Sequence, residues 1–246
     1  MEKFMLKTKT ISIYFKFIFL MGIINFGYTN ADLNTYGEER LKEIHSRITL
    51  LHGNIMYEYP EQLMVATFLP PDAKVLELGS DVGRNTCVIA TILNDSSNLV
   101  TVEPREEAHR YLRENRDYNN LKFHIETSAL SKIPLVQKGW ITIPSIVDLE
   151  GYTRIPTITF QELKKKYKIK FDTLVIDCEG ALYYILKDEP NLLKKIKLII
   201  MENDFSTPEH YQFVANLFKA NGLQLVYNEG RFVFENNAFY QVWKKP

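Results

Sequence analysis

The sequence predicts an α/β fold, a doubly wound and mostly parallel sheet of seven strands that ends in an antiparallel hairpin, with helices added at the N-terminus. Short apolar, β-rich runs alternate with helical segments, which is typical of βαβ units. Two consecutive prolines, Pro70 and Pro71, end the preceding helical pattern and mark the start of this domain. Near the C-terminus, two β-rich runs flank a turn-rich stretch, which indicates a hairpin instead of another crossover.

Each element has its own sequence pattern. Leu41, Ile44, Ile48 and Leu51 recur at three- and four-residue spacings with Glu and Arg between them, which predicts a helical extension over residues 32–68. The domain follows over residues 69–246 and a leader precedes the extension over residues 1–31. The parallel strands are predicted at 74–78, 98–102, 121–126, 173–177 and 197–201, the hairpin strands at 223–227 and 239–243, and the helices at 86–93, 106–115, 160–167, 181–186 and 208–220.

Composition excludes some classes of function. Hydrophobic residues make up 46% of the chain and charged residues 24%, as in an ordinary globular protein. Acidic and basic residues are balanced at 30 each, so the chain has no broad positive field and no nucleic-acid partner is expected. Cys87 and Cys178 lack the spacing of a zinc site.

The N-terminal 31 residues have the layout of a secretory signal peptide. Lysines at positions 3, 7, 9 and 16 precede the apolar run at 17–24, and small residues at 29–31 suit a cleavage site. This layout predicts export or a single-pass anchor that contacts a membrane through residues 11–28. The alternative is an amphipathic or buried terminal helix on a cytoplasmic protein, because the apolar run is shorter than a membrane span.

A glycine-containing bend follows the first predicted strand. Gly79 and Gly83 lie four residues apart between strand and helix, and glycine lacks the Cβ that would keep a ligand away from the backbone. The helix that begins near Arg84 directs free N–H groups toward this crevice, which suits the carboxylate of an amino-acid ligand. Glu77 closes the strand and is expected to lie near the same ligand, directly or through water. The alternative is that both glycines serve packing alone.

Glu103 ends the second strand about 20 residues after the bend, where an acid grips a ribose diol in dinucleotide-binding folds. We expect its carboxylate to accept both ribose hydroxyls. Nicotinamide enzymes prefer G-x-G-x-x-G at the bend, whereas this chain has Glu77 at the first glycine position. An acid there would repel a pyrophosphate, which favours a nucleoside without phosphate, S-adenosylmethionine. The alternative for Glu103 is a solvated acid at a strand end.

A series of motifs resembles the FkbM family of S-adenosylmethionine-dependent methyltransferases over about two thirds of the chain. The motifs are residues 77–86, the pair Glu103-Pro104, the segment 128–131, the run 157–163 and the apolar strand that ends in Asp177-Cys178-Glu179-Gly180, followed by a strand that ends in Glu202. The resemblance implies a Rossmann-like class I methyltransferase fold. It also implies a cofactor site that contains Glu77, Gly79, Ser80, Gly83, Asn85, Thr86, Glu103, Pro104 and Asp177, with Ser128 and Ala129, beside Glu126, near the adenine.

Asp177, Glu179 and Glu202 are the candidate catalytic residues. They lie at or just beyond the carboxyl ends of central strands, where open α/β sheets bind ligands. Burial and mutual repulsion would raise one pKa into the range of a general base, and Asp177 and Glu179 qualify equally. Two alternatives remain open at this point. Glu179 could cap the next helix while Asp177 binds a backbone N–H, or the three acids could bind a divalent metal, which the resemblance does not imply.

The resemblance implies O-methylation of a hydroxyl on a small molecule or glycan. The alternatives are an NAD(P)-dependent oxidoreductase and a non-catalytic interaction module that keeps the fold. Residues 133–155 match no family pattern, and we expect them to help form the acceptor pocket. His210, near the start of a helix beyond the fifth strand, is a further candidate base, although a histidine at such a position is more often simply exposed.

Overall fold

The computed structural model describes residues 30–139, 141–234 and 236–246. The predicted leader therefore lies outside the described residues, apart from Asn30 and Ala31. Within the described ranges, none of the helices combines the length and the apolar character that crossing a bilayer requires. The chain divides into two units, Met1–Tyr36 and Gly37–Pro246. Of the first unit, the described part is the beginning of one helix.

The chain has seven α-helices and twelve strands within the described ranges, together with two 3₁₀ helices at Ser96–Asn98 and Pro190–Lys195. The helices are α1 Asn30–His45, α2 Tyr59–Phe68, α3 Arg84–Ile92, α4 Glu106–Tyr118, α5 Phe160–Tyr167, α6 Leu182–Asp188 and α7 Pro208–Ala220. The strands are β1 Val75–Leu78, β2 Leu99–Val102, β3 His124–Glu126, β4 Ala129–Leu130, β5 Leu135–Lys138, β6 Ile141–Pro144, β7 Thr153–Ile155, β8 Thr157–Ile158, β9 Thr173–Ile176, β10 Leu198–Glu202, β11 Gln224–Phe234 and β12 Asn237–Lys244.

The main sheet has seven strands in the order β3-β2-β1-β9-β10-β12-β11. The first five of these are mutually parallel, whereas β12 runs antiparallel to both of its neighbours. All residues of β1, β2 and β9 are buried, as expected for strands covered on both faces. The predicted mostly parallel sheet with a C-terminal antiparallel hairpin is confirmed.

Helices cover both faces of this sheet. One buried cluster joins Leu163 of α5, Leu186 of α6 and Phe218 of α7 to the sheet. The other joins residues of α1 to α4, such as Met64 and Leu112, to the opposite face. The sheet is therefore doubly wound.

Two regions differ from the sequence-based prediction of elements. The helical periodicity over Leu41 to Leu51 does not continue as one helix, because α1 ends at His45, and Leu51 is 51% exposed. The third strand begins at His124 instead of residue 121. The N–H of Leu121 donates to the Arg116 carbonyl at the end of α4, and the N–H of Lys122 donates to Ser96 Oγ. Neither group takes part in the sheet.

Two small sheets lie in and beside residues 133–155, the segment that matched no motif. β4 and β8 pair in parallel, and β5 lies between β6 and β7 in an antiparallel sheet of three strands. Leu135, Gln137 and Thr142 of the three-stranded sheet contribute to the wall of the main pocket described below. These residues therefore border a pocket, and their contact with the acceptor stays a prediction.

Candidate functional site

A pocket of about 950 Å³, partly open to solvent, lies at the carboxyl ends of β1, β2 and β9. We call it the main pocket. Seven of the predicted site residues line it, namely Gly79, Ser80, Glu103, Pro104, Ala129, Asp177 and Glu179. The other predicted residues, which do not line it, are Glu77, Gly83, Asn85, Thr86, Ser128 and Glu202.

The glycine bend is required by packing against protein atoms. Gly79 has a φ of +84°, and a Cβ there would lie 1.6 Å from the carbonyl oxygen of Asp177 on the neighbouring strand. Gly83 has a φ of +92°, and its Cβ would lie 2.3 Å from Cδ1 of Leu112. Both glycines thus make close contacts within the fold, and their contact with a ligand stays a prediction. Gly79 still lines the main pocket, because the bend passes along its edge.

Glu103 presents a buried carboxylate to the main pocket. It is 5% exposed, and its Oε2 accepts a hydrogen bond from the N–H of Asp81 at 2.9 Å. Its Oε1 accepts from the backbone N–H and from Nε of Arg105, at 2.9 and 3.3 Å. A carboxylate has about four acceptor positions, so one on Oε2 is left for a ligand. Glu103 can therefore accept one hydroxyl without displacing Arg105, instead of the two expected from the sequence.

Two arginines neutralise Asp81, which has a left-handed φ of +43° at the bend. Its carboxylate accepts from Arg84 at 2.6 Å and from Arg105 at 2.5 Å. Burial raises the pKa of Asp81, but hydrogen bonds and charges from the two arginines outweigh burial and hold this pKa below its ordinary value. Arg84 also bonds Glu58 at 2.7 Å. Arg105, which lines the main pocket, was not among the predicted site residues.

Glu77 lies beneath the bend instead of in the pocket. It is 1% exposed and its Oε2 has no hydrogen-bond partner within the described residues. Burial raises its pKa to about 8, against a lowering by the hydroxyls of Thr101 and Thr86. A carboxyl group that is mostly protonated near pH 7 and out of the pocket does not repel a pyrophosphate. Glu77 therefore does not exclude a dinucleotide as the ligand.

Replacing Glu77 with Gln should flatten the pH dependence of stability. The pKa of Glu77 is about 8 in the folded protein and 4.5 ordinarily, so the folded state binds the proton more tightly. The free energy of unfolding then falls as pH rises from about 4.5 to about 8. Urea unfolding at pH 5.5 and pH 8 should show a smaller fall for Glu77→Gln than for the parent chain. The exposed Glu43→Gln serves as the control, and an equal fall in all three proteins would contradict the prediction.

A second, narrower cavity adjoins the main pocket. It is lined by four acidic residues, Glu58, Glu61, Asp177 and Glu202, together with Ser80, Asn85 and neighbouring apolar residues. We call it the acidic cavity. It has room for one group the size of a water molecule. Gly79, Ser80 and Asp177 line both this cavity and the main pocket. Glu58 and Glu61 come from the residue before α2 and from its first turn.

Three acids of this cavity have raised pKa values. Burial, followed by the charges of Glu58 and Asp204, raises the pKa of Asp177 to about 8. Burial and a hydrogen bond with the carboxyl group of Glu61 raise the pKa of Glu202 to about 11. Burial also raises the pKa of Glu58 to about 7, although Arg84 opposes this. Asp177 therefore titrates in the range that suits a general base.

The turn after β9 holds Glu179 beside Asp177. Glu179 is exposed, lines the main pocket and has a φ of +52°, and Gly180 follows at +77°. Strained backbone of this kind recurs at functional sites. The alternative that Glu179 caps α6 is not observed, since the capping residue is Ala181 and no side chain bonds to that helix end. Asp177, in contrast to Glu179, reaches both cavities.

The predicted adenine region has a different arrangement. Glu126 is 1% exposed, and its carboxylate accepts from the N–H of Ser128 at 3.0 Å, from Lys166 Nζ at 2.8 Å and from the Tyr167 hydroxyl at 3.2 Å. Glu126 and Ser128 thus form a hydrogen bond with each other, and neither lines the main pocket. Ala129 and the adjacent Leu130 supply the pocket wall at this position.

Two further candidates have structural surroundings of their own. The ring of His210 stacks on Tyr183 at 3.7 Å, and its Nδ1 lies 3.5 Å from Ser206 Oγ. His210 lines neither the main pocket nor the acidic cavity. No group of three or more His, Cys, Asp or Glu side chains is arranged to hold a metal ion in the described part of the chain.

Comparison with known proteins yields distant likenesses. No protein-family model matches the chain. Protein PFC0760c of Plasmodium falciparum (isolate 3D7) is 23% identical over 144 residues, which are 56% of this chain and 4% of that protein. The chain thus spans a small fraction of the length of this curated relative.

The chain is similar in fold to several solved structures. An O-methyltransferase from Bacillus cereus in complex with SAH shares 15% identity, with 92% of this chain and 96% of that chain covered and a TM-score of 0.45. A ribosomal protein L11 methylase from Lactobacillus delbrueckii subsp. bulgaricus shares 13%, with coverages of 80% and 82% and a TM-score of 0.47. A protein of the NADB-Rossmann superfamily from Streptococcus agalactiae shares 14%, with coverages of 80% and 70% and a TM-score of 0.48. Likenesses of this degree identify neither a cofactor nor a substrate.

Proposed function

We propose that this chain is an S-adenosylmethionine-dependent methyltransferase of the FkbM type that methylates a hydroxyl group of a small molecule or glycan. The observation that carries the proposal is the placement of Glu103. Its buried carboxylate lines the main pocket together with the Gly79 bend, and it keeps one acceptor position for a ligand hydroxyl. This is the arrangement that recognises the ribose of a nucleoside.

The residues of the main pocket fit this cofactor. Glu103 would hold the ribose, and Ala129 and Leu130 would contact the adenine. Gly79, Ser80 and Asp177 would surround the amino-acid end, which is positively charged at its amino group and sulfonium. Asp177 has no ion pair within the described residues, and a cation beside it would favour its ionised form.

Asp177 is the proposed base. The bound cofactor supplies an electrophilic methyl group on sulfur, and an attacking hydroxyl must lose its proton. Asp177 borders both cavities and its pKa is about 8, so its carboxylate can take that proton near neutral pH. The pocket walls around it would position the acceptor.

Replacing Glu103 with Ala should weaken binding of S-adenosylhomocysteine, the product form of the cofactor. The loss of a charged hydrogen-bond partner predicts a cost of about 1.5–3 kcal/mol, roughly 10- to 150-fold in the dissociation constant. Isothermal titration calorimetry on the full chain measures this constant. Glu106→Ala, which removes an exposed acid at the start of α4, is the matched control and should leave affinity unchanged.

The same titration separates the alternative functions. Tight binding of NAD(H) or NADP(H), with no binding of S-adenosylhomocysteine, would establish an oxidoreductase and overturn the proposal. Binding of neither nucleotide would favour a non-catalytic module. Equal affinity of Glu103→Ala and the parent chain would remove Glu103 from the site. Thermal unfolding of each variant guards against a general loss of structure, since Glu103 also holds the N–H groups of Asp81 and Arg105.

A further inference from the structure

We propose that the acidic cavity binds a protonated amine of the methyl acceptor, so that the acceptor is an amino alcohol with its hydroxyl group near the ammonium group. This inference rests on the proposed function and narrows its substrate class. It concerns the surroundings of Glu58, Glu61 and Glu202, which the cofactor site described above does not use.

The cavity contains more carboxyl groups than cations. Of its four acids, Glu58 is ion-paired with Arg84 at 2.7 Å, and Arg84 is also bound by Asp81. Glu61, Asp177 and Glu202 have no ion pair within 4.0 Å in the ranges that the structure describes. Buried carboxyl groups without a cation are costly when ionised, and an entering cation removes this cost.

Unsatisfied acceptors line the same cavity. Ser80, Asn85 and Glu61 are 7%, 8% and 8% exposed, so each is more than nine-tenths buried. Ser80 Oγ, Asn85 Oδ1 and Glu61 Oε2 have no hydrogen-bond partner among the described residues. An ammonium group has three N–H donors and no acceptor, and therefore matches a cavity that offers acceptors. Buried polar groups in native proteins are nearly always satisfied, so these three atoms indicate a missing donor.

Size and position also fit an ammonium group. The cavity has room for one group the size of a water molecule, which excludes a quaternary ammonium and a guanidinium. A metal ion is not favoured, because the acids do not converge as metal ligands within the described ranges. The cavity shares Gly79, Ser80 and Asp177 with the main pocket, so an amine bound there leaves the adjacent hydroxyl of the same molecule beside Asp177.

Calorimetric titration with ethanolamine tests this inference. Ethanolamine carries an ammonium next to a hydroxyl, and ethylene glycol is a neutral probe of the same length. We expect ethanolamine to bind the full chain, saturated with S-adenosylhomocysteine, at least tenfold more tightly than ethylene glycol. Glu61→Gln should reduce ethanolamine affinity at least tenfold and leave the affinity for S-adenosylhomocysteine within twofold. Glu43→Gln, an exposed acid of α1, is the matched control and should change neither affinity.

Each other outcome overturns the inference. Equal binding of the two probes means that the cavity does not recognise charge. A loss of S-adenosylhomocysteine affinity in Glu61→Gln, as large as the loss for ethanolamine, means that the amino group of the cofactor occupies the cavity, while the proposed function stands. Both probes are also titrated without S-adenosylhomocysteine, so the result holds if that ligand fails to bind. Glu202→Gln replaces Glu61→Gln if the latter unfolds, with the same expected loss.

Discussion

Asp177→Asn is expected to slow methyl transfer by about 10²- to 10⁴-fold, the usual contribution of a positioned general base. The amide keeps the shape of the side chain but cannot take the hydroxyl proton. Because the pKa of Asp177 is about 8, the rate of the unchanged protein should rise about tenfold per pH unit below pH 8 and level off above it. Asp177→Asn should lose this pH dependence. The measurement is the initial rate with methyl-labelled cofactor between pH 5.5 and 9.5.

Glu179→Gln is the matched comparison, because Glu179 lies two residues away and also lines the main pocket. The sequence left the two acids equivalent. The structure favours Asp177, which is part of both cavities, whereas Glu179 is exposed and lines only the main pocket of the two. If Glu179→Gln carried the larger loss of rate and the change in pH profile, Glu179 would be the base. Affinity for S-adenosylhomocysteine is measured in parallel, so that a binding defect is not mistaken for a chemical one.

Gly79→Ala should destabilise the fold by about 3–5 kcal/mol, at the upper end for single substitutions. The new methyl group would lie 1.6 Å from the carbonyl oxygen of Asp177, a backbone atom that moves only if β1 and β9 separate. Gly222→Ala is the matched control. Gly222 has a similar φ, +80°, with no atom within 4 Å of its Cβ position. Gly222→Ala should lower the free energy of unfolding only by the cost of alanine in a left-handed conformation, about 1–2 kcal/mol.

Urea unfolding of the two variants isolates the contact. The difference between their free energies of unfolding is the cost of the clash, since both carry the same change at nearly the same φ. Equal losses would show that β1 and β9 adjust without cost and that Gly79 is required only for its backbone conformation. In that case the close approach of the bend to Asp177 would not define the geometry of the site.

The main sheet was predictable because its strands are buried on both faces and stand out as continuous apolar runs. The carboxyl ends of those runs placed Gly79, Glu103 and Asp177 at one edge, and the structure brings all three to the main pocket. The role of Gly79 was predicted for a different reason. A sequence shows that glycine is present at a bend, but not which neighbouring atom excludes a side chain.

The acidic cavity was not predictable in the same way. Glu61 belongs to the predicted helical extension and was not among the predicted site residues, yet it is 8% exposed and lines the cavity. The signal was weak but present, since Glu61 lies two residues before the apolar segment 63–66 of a helix that packs against the sheet. The small sheets of residues 129–158 escaped prediction because their strands are two to four residues long. Runs of that length do not show a period.

The position of β12 has a consequence for biosynthesis. Residues 237–244 form an interior strand, hydrogen-bonded on both sides, and β11 pairs with no other strand of the described sheet. A ribosome delivers these residues after all others of the sheet, so the edge of β10 stays uncovered until late in translation. An uncovered, buried-type edge invites pairing with other chains. Nascent chains that stall before residue 237 should therefore depend on chaperones. We expect the pairing of β12 with β10 to be a late step of folding.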